Sequence, residues 1–158
     1  MLYYQKTPAR IVFEMADCCE DNEEDIFLDI GSGLGQLVIL MQLLTGIKST
    51  GVEFEPSYCE YANVCAAALG LTETRFINEN ALVTDYSKAT IIFLYTPFVG
   101  AMMQQVLELL RQESLKRTFR VFTYGSCSDV VAKQGWLQWT KGDYANSDTL
   151  CSFASELH

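Results

Sequence analysis

The sequence predicts a single α/β domain in which helices cover both faces of a mostly parallel sheet. The chain has 158 residues, which is the size of one domain with one core. Its hydrophobic share of 49% and charged share of 20% are those of a folded globular protein. Short apolar runs alternate along the chain with segments of helical periodicity, and this alternation is typical of repeated βαβ units.

In the first half of the chain, helical and strand-like segments follow one another closely. A helix should begin at Thr7-Pro8, because proline is well tolerated in a first helical turn, and the acidic run 20–25 should end it. The continuous apolar run 26–30 is typical of a buried parallel strand. The other predicted elements of this half are a helix over 34–44, a strand over 49–53, and a helix from Pro56 to Gly70 with a capping box formed by Ser57 and Glu60.

The second half continues the alternation and ends in a hairpin. The run 90–95 is very apolar, which predicts a central strand. Two β-like runs near the C-terminus are joined by a polar loop and predict an antiparallel pair, with Trp136 and Trp139 covering the edge of the sheet. The predicted strands of this half are 75–78, 90–95, 119–124, 136–141 and 149–155, and the predicted helices are 100–116 and 128–134.

Charge and residue usage exclude several classes of function. The net charge of −9 disfavours nonspecific nucleic-acid binding, because an acidic surface repels phosphates. The first ten residues lack the apolar core of a signal peptide and the run 34–44 is too short to span a bilayer, so a cytoplasmic protein without a membrane segment is predicted. The only histidine is His158, which excludes Ser-His-Asp triads and histidine-rich metal sites. The six cysteines contain no C-x-x-C pair and are predicted to be reduced, half-buried thiols.

Ligands of such sheets bind beyond the carboxyl ends of the strands, so the residues after each strand are the candidate site. Gly31, Ser32, Gly33 and Gly35 follow the first strand with the spacing G-x-G-x-G, whereas a dinucleotide fingerprint is G-x-G-x-x-G. Such a loop lets the backbone approach a ligand closely. Asp29 precedes it and favours a cationic ligand over a pyrophosphate. A tight turn with no ligand is the alternative.

The second and third strands also end in polar residues. Glu53 closes the second strand, where a carboxylate can accept two hydrogen bonds from ribose hydroxyls. Asn80 follows the third strand and carries an amide that could bond an adenine edge. The alternatives are an ordinary exposed glutamate and an asparagine that only forms a turn.

At this point the chain resembles the class I S-adenosylmethionine-dependent methyltransferases, over residues 7–155. The resemblance rests on the motif D-x-G-x-G-x-G, on an acidic residue at the end of the second strand, and on a short loop after the third strand. It implies a three-layer α-β-α Rossmann-like fold, a seven-stranded sheet with a C-terminal antiparallel hairpin, and S-adenosyl-L-methionine as cofactor. It further implies that the loop 31–35 carries the methionine part of the cofactor with Asp29 nearby, that Glu53 binds the ribose, that Phe54 covers an adenine face, and that Asn80 approaches the adenine amino group.

The resemblance implies that the segment at the end of the fourth strand, Tyr95-Thr96-Pro97-Phe98, faces the methyl acceptor. It is similar in position to the asparagine-proline-proline-aromatic motif of amino-group methyltransferases, although Tyr95 and Thr96 replace its asparagine and first proline. The string D-x-G-S-G-x-G-Q with G-V-E also resembles the non-SET histone-lysine methyltransferases, which have asparagines after strand four. Tyr95 and Phe98 are therefore the predicted catalytic residues, with aromatic faces near the sulfonium methyl and the Tyr95 hydroxyl orienting the acceptor.

The predicted function is in-line methyl transfer to an unidentified acceptor, which is a protein lysine or other amine, or a small molecule. Positioning and exclusion of water can supply most of the rate, so neither a metal nor a dedicated nucleophile is required. Tyr3, Tyr4 and Thr7 precede the first helix and are candidates for closing over the cofactor. The alternatives are a non-catalytic module that binds S-adenosylmethionine and an NAD(P)-dependent oxidoreductase, which the glycine spacing disfavours.

Overall fold

The computed structural model describes residues 5–19, 23–95, 98 and 100–156. Within them, strands and helices alternate along the chain as predicted. The strands are β1 (Ile26–Ile30), β2 (Lys48–Glu53), β3 (Thr74–Asn78), β4 (Ile91–Tyr95), β5 (Arg120–Tyr124), β6 (Leu137–Lys141) and β7 (Cys151–Ser155). The helices are α1 (Ala9–Cys18), α2 (Gln36–Thr45), α3 (Pro56–Ala68), α4 (Ala101–Ser114) and α5 (Cys127–Ala132), with a 3₁₀ turn at Ala81–Val83.

All seven strands form one sheet in the order β3-β2-β1-β4-β5-β7-β6. The pairs among β1 to β5 are parallel, and β7 pairs antiparallel with both β5 and β6. The predicted mostly parallel, seven-stranded sheet with a C-terminal antiparallel pair is therefore confirmed. The strand order reverses between β1 and β4, and ligands of such sheets bind beyond the strand ends at this reversal.

Helices cover both faces of the sheet, so the core has two halves. Side chains of a strand alternate between faces, and β1 shows the division. Phe27 packs with α1, α2 and α3 on one face, whereas Leu28 and Ile30 pack with α4 and α5 on the other. The three-layer α-β-α architecture follows from this division. Among the described residues, no helix has both the length and the apolar character needed to cross a membrane.

The start of α3 differs from the predicted capping box. Glu55, not Ser57, is the N-cap, and its carboxylate accepts hydrogen bonds from the Ser57 backbone N–H at 3.4 Å and from the Ser57 hydroxyl at 2.9 Å. Pro56 occupies the first turn, where its missing N–H costs nothing and its fixed φ suits a helix. Because the helix begins at Pro56, Ser57 lies inside it and the box with Glu60 does not form.

The connection from β3 to β4 contains a 3₁₀ turn but no α-helix in its described residues 79–90. Its loop is held from two sides. The Tyr86 hydroxyl donates to the Ala81 carbonyl at 2.6 Å, and the Arg117 guanidinium donates to the carbonyls of Tyr86 and Ala89. A side hollow of about 410 Å³ lies between this loop and strands β1 to β3.

Two smaller predictions need correction. Trp136 is buried edge-on against Phe119, with ring centroids 6.1 Å apart, as a covering role requires. Trp139 is 53% exposed, because β6 is an edge strand and its indole N–H instead donates to the Gly142 carbonyl at 2.7 Å. All six cysteines are free, as predicted, but four of them are fully buried rather than half-buried: Cys19, Cys59, Cys127 and Cys151.

Gly35 has a packing role at the start of α2. Its φ is +86°, a left-handed conformation that favours glycine, and a Cβ there would lie 2.5 Å from Phe76 Cζ and 2.7 Å from the Cβ of Ala62. Gly46, at the other end of α2, has φ +76° and open space around its missing Cβ. The two glycines thus share the same backbone requirement but differ in packing.

We expect Gly35→Ala to destabilise the protein by roughly 1–3 kcal/mol more than Gly46→Ala, the usual cost of overpacking a core. Both variants carry the cost of a left-handed alanine, so their difference isolates the contact with β3 and α3. Chemical denaturation of both variants and wild type measures this difference. Equal losses of unfolding free energy would show that Phe76 and Ala62 move aside without cost.

Candidate functional site

A cleft of about 880 Å³ opens at the carboxyl ends of β1, β2 and β4, where the strand order reverses. Thr7 lies on its rim, whereas Tyr3, Tyr4, Thr96 and Pro97 lie outside the described residues. The structure brings together at this cleft nine residues singled out from the sequence: Asp29, Gly31, Ser32, Gly33, Glu53, Phe54, Asn80, Tyr95 and Phe98.

Gly35 is the predicted cofactor-binding residue that the structure does not place in the lining of the cleft. It turns away from the cleft and packs beneath α3 on Phe76. The sequence could not separate it from Gly31 and Gly33, because all three have positive φ and follow the same strand. Helix packing therefore accounts for a glycine at this place in the motif, and contact of Gly35 with the cofactor stays a prediction.

The glycine loop after β1 is tied to the end of β2. The N–H groups of Gly31 and Ser32 both donate to the Val52 carbonyl, at 2.8 Å and 3.0 Å, and the Gly33 N–H donates to Glu53 Oε1 at 2.8 Å. These bonds need a loop that turns back sharply, which Gly31 and Gly33 allow with φ of +80° and +58°. The loop is thus held in its shape by the neighbouring strand.

Ser32 carries an unsatisfied polar group at the floor of this loop. Its hydroxyl is buried and has no hydrogen-bond partner among the described residues. It packs directly on Gly51, where a Cβ would lie 2.5 Å from Ser32 Oγ. Buried hydroxyls are nearly always hydrogen-bonded in native proteins, so this one is a candidate contact for a ligand in the cleft.

Glu53 has both carboxylate oxygens anchored by backbone. Oε1 accepts from Gly33, and Oε2 accepts from the Glu55 N–H at 2.8 Å. Each carboxylate oxygen can accept a second hydrogen bond, so the group remains able to bind hydroxyls of a ligand. The Asn78 amide donates to the carbonyls of Glu53 and Phe54, at 2.9 Å and 3.0 Å, and fixes the turn that leaves Phe54 72% exposed.

Asp29 is a buried acid at the base of the cleft, with only 5% of its surface exposed. Burial, and to a smaller extent the nearby charge of Glu53, raise its pKa from the ordinary 3.8 to about 8. The carboxyl group is therefore largely protonated at neutral pH. A cation placed in the cleft would favour its ionised form.

The ionisable side chains that line the cleft include acids but no bases among the described residues. Four carboxyl groups line it, and no lysine or arginine does so among the described residues. Such a lining attracts cationic ligands and opposes phosphates. The four acids are Asp29, Glu53, Glu55 and Glu79. The sequence analysis did not single out Glu55 and Glu79, which follow the ends of β2 and β3. Both lie within two residues of a strand end, so they could have been found by considering two residues after each strand.

Asn80 forms a turn, as the alternative interpretation held, and also lines the cleft. Its Oδ1 accepts from the Leu82 N–H at 2.9 Å and caps the 3₁₀ turn. The amide N–H₂ is then the group more available to a ligand. Contact with an adenine ring nitrogen fits this orientation better than contact with the adenine amino group, which stays a prediction.

Tyr95 ends β4 and lines the cleft. Its ring meets Tyr124 edge-on, with centroids 4.8 Å apart and planes at 78°. Burial raises the pKa of Tyr95, and the charge of Asp148 adds to this, so the phenol stays neutral. Phe98, Phe93 and Met102 complete an apolar wall beside it.

The comparisons with known proteins agree with this geometry. A solved RNA methyltransferase from Salinibacter ruber, in complex with S-adenosyl-L-homocysteine, is 22% identical with a TM-score of 0.78, covering 98% of this chain and 95% of that one. A geranyl diphosphate C-methyltransferase from Streptomyces coelicolor A3(2), solved with Mg²⁺, geranyl diphosphate and S-adenosyl-L-homocysteine, is 13% identical with a TM-score of 0.64, covering 95% of this chain and 77% of that one. The chain therefore has the fold of the class I S-adenosylmethionine-dependent methyltransferases, and the resemblance seen in the sequence is confirmed.

A more particular similarity lies in the first half of the chain. Residues 2–76 match the family described as Histone methylation protein DOT1, which is slightly less than half of the chain. The fold also occurs in the [4+2]-cyclase SpnF, which is 17% identical with a TM-score of 0.61, covering 72% of this chain and 43% of that one. The sequence has no significant match among curated proteins.

The buried Asp29 should make the protein less stable as the pH rises. Its folded pKa of about 8 lies above its ordinary value of 3.8, so its contribution to stability is fully present below about pH 4 and is lost as the pH rises through 8. We expect Asp29→Asn to raise the melting temperature relative to wild type, by a margin that grows between about pH 5 and pH 8.

Thermal unfolding at several pH values checks this prediction, with the exposed Asp17→Asn as the matched control. The control should show no comparable pH-dependent gain, because an exposed carboxylate has little desolvation cost. A melting temperature of Asp29→Asn that stays below wild type at every pH would show that Asp29 is ionised and stabilising in the folded protein.

Proposed function

We propose that the protein is an S-adenosylmethionine-dependent methyltransferase whose acceptor is an amine, with a protein lysine as the first candidate. The observation that carries the proposal is a single cleft that joins the glycine loop, the anchored Glu53 and a lining with four acids and no described base. A sulfonium cofactor with a nucleoside and an α-ammonium group has the chemistry that such a cleft accepts.

The residues present fit this cofactor on several independent features. The unsatisfied Ser32 hydroxyl and the buried Asp29 lie by the loop that would hold its methionine part. Glu53 has lone pairs left for ribose hydroxyls, and the exposed Phe54 ring is positioned to stack on adenine. The bound cofactor would supply an electrophilic methyl group on a positively charged sulfur.

The chain's own contribution to the reaction is alignment and exclusion of water. Tyr95 and Phe98 line the cleft, and the methyl group would lie beside their rings. The faces of such rings attract a cation by about 0.5–2 kcal/mol, which helps to hold both a sulfonium and an ammonium. Tyr95 also carries a neutral hydroxyl that can orient an acceptor nitrogen by a hydrogen bond. Holding donor and acceptor in line supplies a large part of the rate.

The acidic lining supports an amine over a phosphorylated acceptor. An RNA strand or a diphosphate, which occur in the names of two similar structures, would bring negative charge toward Glu53 and Glu79. A lysine side chain would bring a positive charge on a long apolar stem, and its ammonium would release a proton to solvent before the free amine attacks the methyl group. The partial match to the histone-methylation family supports the same acceptor class.

A non-catalytic S-adenosylmethionine-binding module is the second candidate. Tyr95 stands where related amino-group enzymes have an asparagine, and the same fold occurs in a [4+2]-cyclase, so the fold does not fix the reaction. An NAD(P)-dependent oxidoreductase is disfavoured further by the acidic cleft, which opposes a pyrophosphate.

Cofactor binding is tested by calorimetry with S-adenosylhomocysteine, NAD(H) and NADP(H). We expect binding of S-adenosylhomocysteine alone, and a loss of roughly 1–3 kcal/mol of binding free energy in Glu53→Ala, the cost of unpaired charged hydrogen bonds. Glu60→Ala, on the exposed face of α3, is the matched control and should bind as wild type does. Binding of only the nicotinamide cofactors would exclude a methyltransferase.

Catalysis is tested with radiolabelled S-adenosylmethionine and three acceptors: a lysine-rich peptide, the same peptide with acetylated lysines, and RNA. We expect label in the unmodified peptide alone, because acetylation removes both the charge and the nucleophilic lone pair. Tyr95→Phe should lower the rate by about 10-fold, the loss of one orienting hydrogen bond, while leaving S-adenosylhomocysteine affinity unchanged. An unlabelled peptide with intact cofactor binding would favour the non-catalytic module, and an unchanged rate in Tyr95→Phe would remove the proposed role of its hydroxyl.

A further inference from the structure

Three side chains from distant parts of the sequence meet behind Tyr95. Arg10 lies in the first turn of α1, Tyr124 ends β5, and Asp148 lies in the loop between β6 and β7. The Arg10 guanidinium donates to Asp148 Oδ1 at 2.5 Å and to the Asp148 carbonyl at 2.8 Å. The Tyr124 hydroxyl donates to the same Asp148 Oδ1 at 2.5 Å. One carboxylate oxygen thus joins three segments of the chain.

We propose that Arg10, Tyr124 and Asp148 form a latch that positions the Tyr95 ring at the acceptor end of the cleft. None of the three lines the cleft, so they are positioning residues and not catalytic ones. Tyr124 transmits the effect, because it is 5% exposed and its ring lies edge-on against that of Tyr95. The proposal rests on the methyltransferase function proposed above. It adds an explanation of how the Tyr95 ring is held in place at the acceptor end of the cleft.

The backbone alone does not determine where the Tyr95 ring points. Tyr95 and Tyr124 are register partners on adjacent parallel strands, which sets the distance between their Cα atoms. Side-chain direction depends on the χ angles, which the strand register does not set, and Tyr95 is only half-buried. The hydrogen bond to Asp148 fixes the Tyr124 ring, and the edge-on contact then restricts Tyr95.

A role in stability explains this cluster less well. Ion pairs between exposed side chains contribute little to folding, and the Arg10 and Asp148 side chains are 49% and 74% exposed. Their charge-assisted bonds nevertheless order α1 and the β6–β7 loop against the end of β5. Arg10 also follows closely on Thr7, which lines the cleft, so the latch holds the start of α1 near it.

The latch is tested by nuclear magnetic resonance on protein with labelled tyrosines, using Asp148→Ala and Tyr124→Phe. Asp129→Asn is the matched control, because it also removes an exposed acid that is paired with a basic side chain, Lys133, at 2.9 Å. The Tyr95 ring signals are identified by their loss in Tyr95→Phe. Without any ligand, we expect these signals to shift and broaden in both latch variants, and to stay in place in the control.

The second measurement uses S-adenosylmethionine carrying a ¹³C-labelled methyl group. We expect Asp148→Ala to keep its affinity within about twofold of wild type, since no latch residue lines the cleft, and its bound methyl signal to move toward that of the free compound. A structural role alone would lower the melting temperature without moving that signal. Asp148→Asn, which keeps an oxygen acceptor for Tyr124, should restore part of the wild-type position.

The outcomes separate the latch from the proposed function. Unchanged Tyr95 ring signals in both latch variants would overturn the latch, whatever the protein binds. If wild-type protein does not bind S-adenosylmethionine, the proposed function fails, and the ligand-free ring signals alone decide whether the latch exists. Comparable melting temperatures of Tyr124→Phe and wild type show that the comparison is made between folded proteins.

Discussion

The hydrogen bond from the Gly33 N–H to the Glu53 carboxylate is the interaction on which the cleft depends. It joins the loop after β1 to the end of β2, and the bonds of Gly31 and Ser32 to the Val52 carbonyl close the same junction. The loop can make these bonds only with left-handed backbone at its glycines. The carboxylate is held in place before any ligand arrives, which lowers the entropic cost of binding. The cleft is therefore preorganised by bonds within the protein, and a ligand adds to a shape that already exists.

The same junction places Asp29 where its charge is unfavourable. Burial and the neighbouring Glu53 both disfavour its ionised form, and its free carboxylic acid form binds a cation poorly. A positive ligand reverses this balance, because it stabilises the carboxylate that the empty cleft destabilises. Binding of a cation and release of a proton from Asp29 are thus coupled. The buried carboxyl group of Asp29 lowers the stability of the free protein, and its negative charge contributes to binding only when a cation fills the cleft. Functional sites often lower stability in this way.

The sequence was sufficient for the sheet and for most of the cleft, because both depend on local signals. Apolar runs and glycine-rich tips mark β1 and β2, and parallel strands bring their carboxyl ends to one edge. The sequence could not show that Gly35 lies outside the cleft lining, because positive φ serves packing on Phe76 as well as ligand contact, and spacing does not distinguish the two. The N-cap of α3 was misplaced because serine is a preferred N-cap and glutamate is not, whereas Pro56 in the first turn makes Glu55 the cap. Tyr124 and Asp148 could not be paired at all, because their contact with Arg10 depends on tertiary packing across 114 and 138 residues.

The family match covers the proposed cofactor end of the cleft but not the proposed acceptor end. The match to the histone-methylation family ends at Phe76 and contains Asp29, the glycine loop and Glu53, whereas Tyr95 lies beyond it. The matched segment thus covers the residues proposed to hold the cofactor, and the acceptor end lies in the unmatched remainder. A shared fold accommodates methyl transfer to unlike acceptors and, in one similar structure, a cyclisation. Acceptor choice must therefore depend on local features of β4, β5 and the β6–β7 loop. In this chain those features are an aromatic wall at Tyr95 and a carboxylate, that of Asp148, which holds the wall from behind.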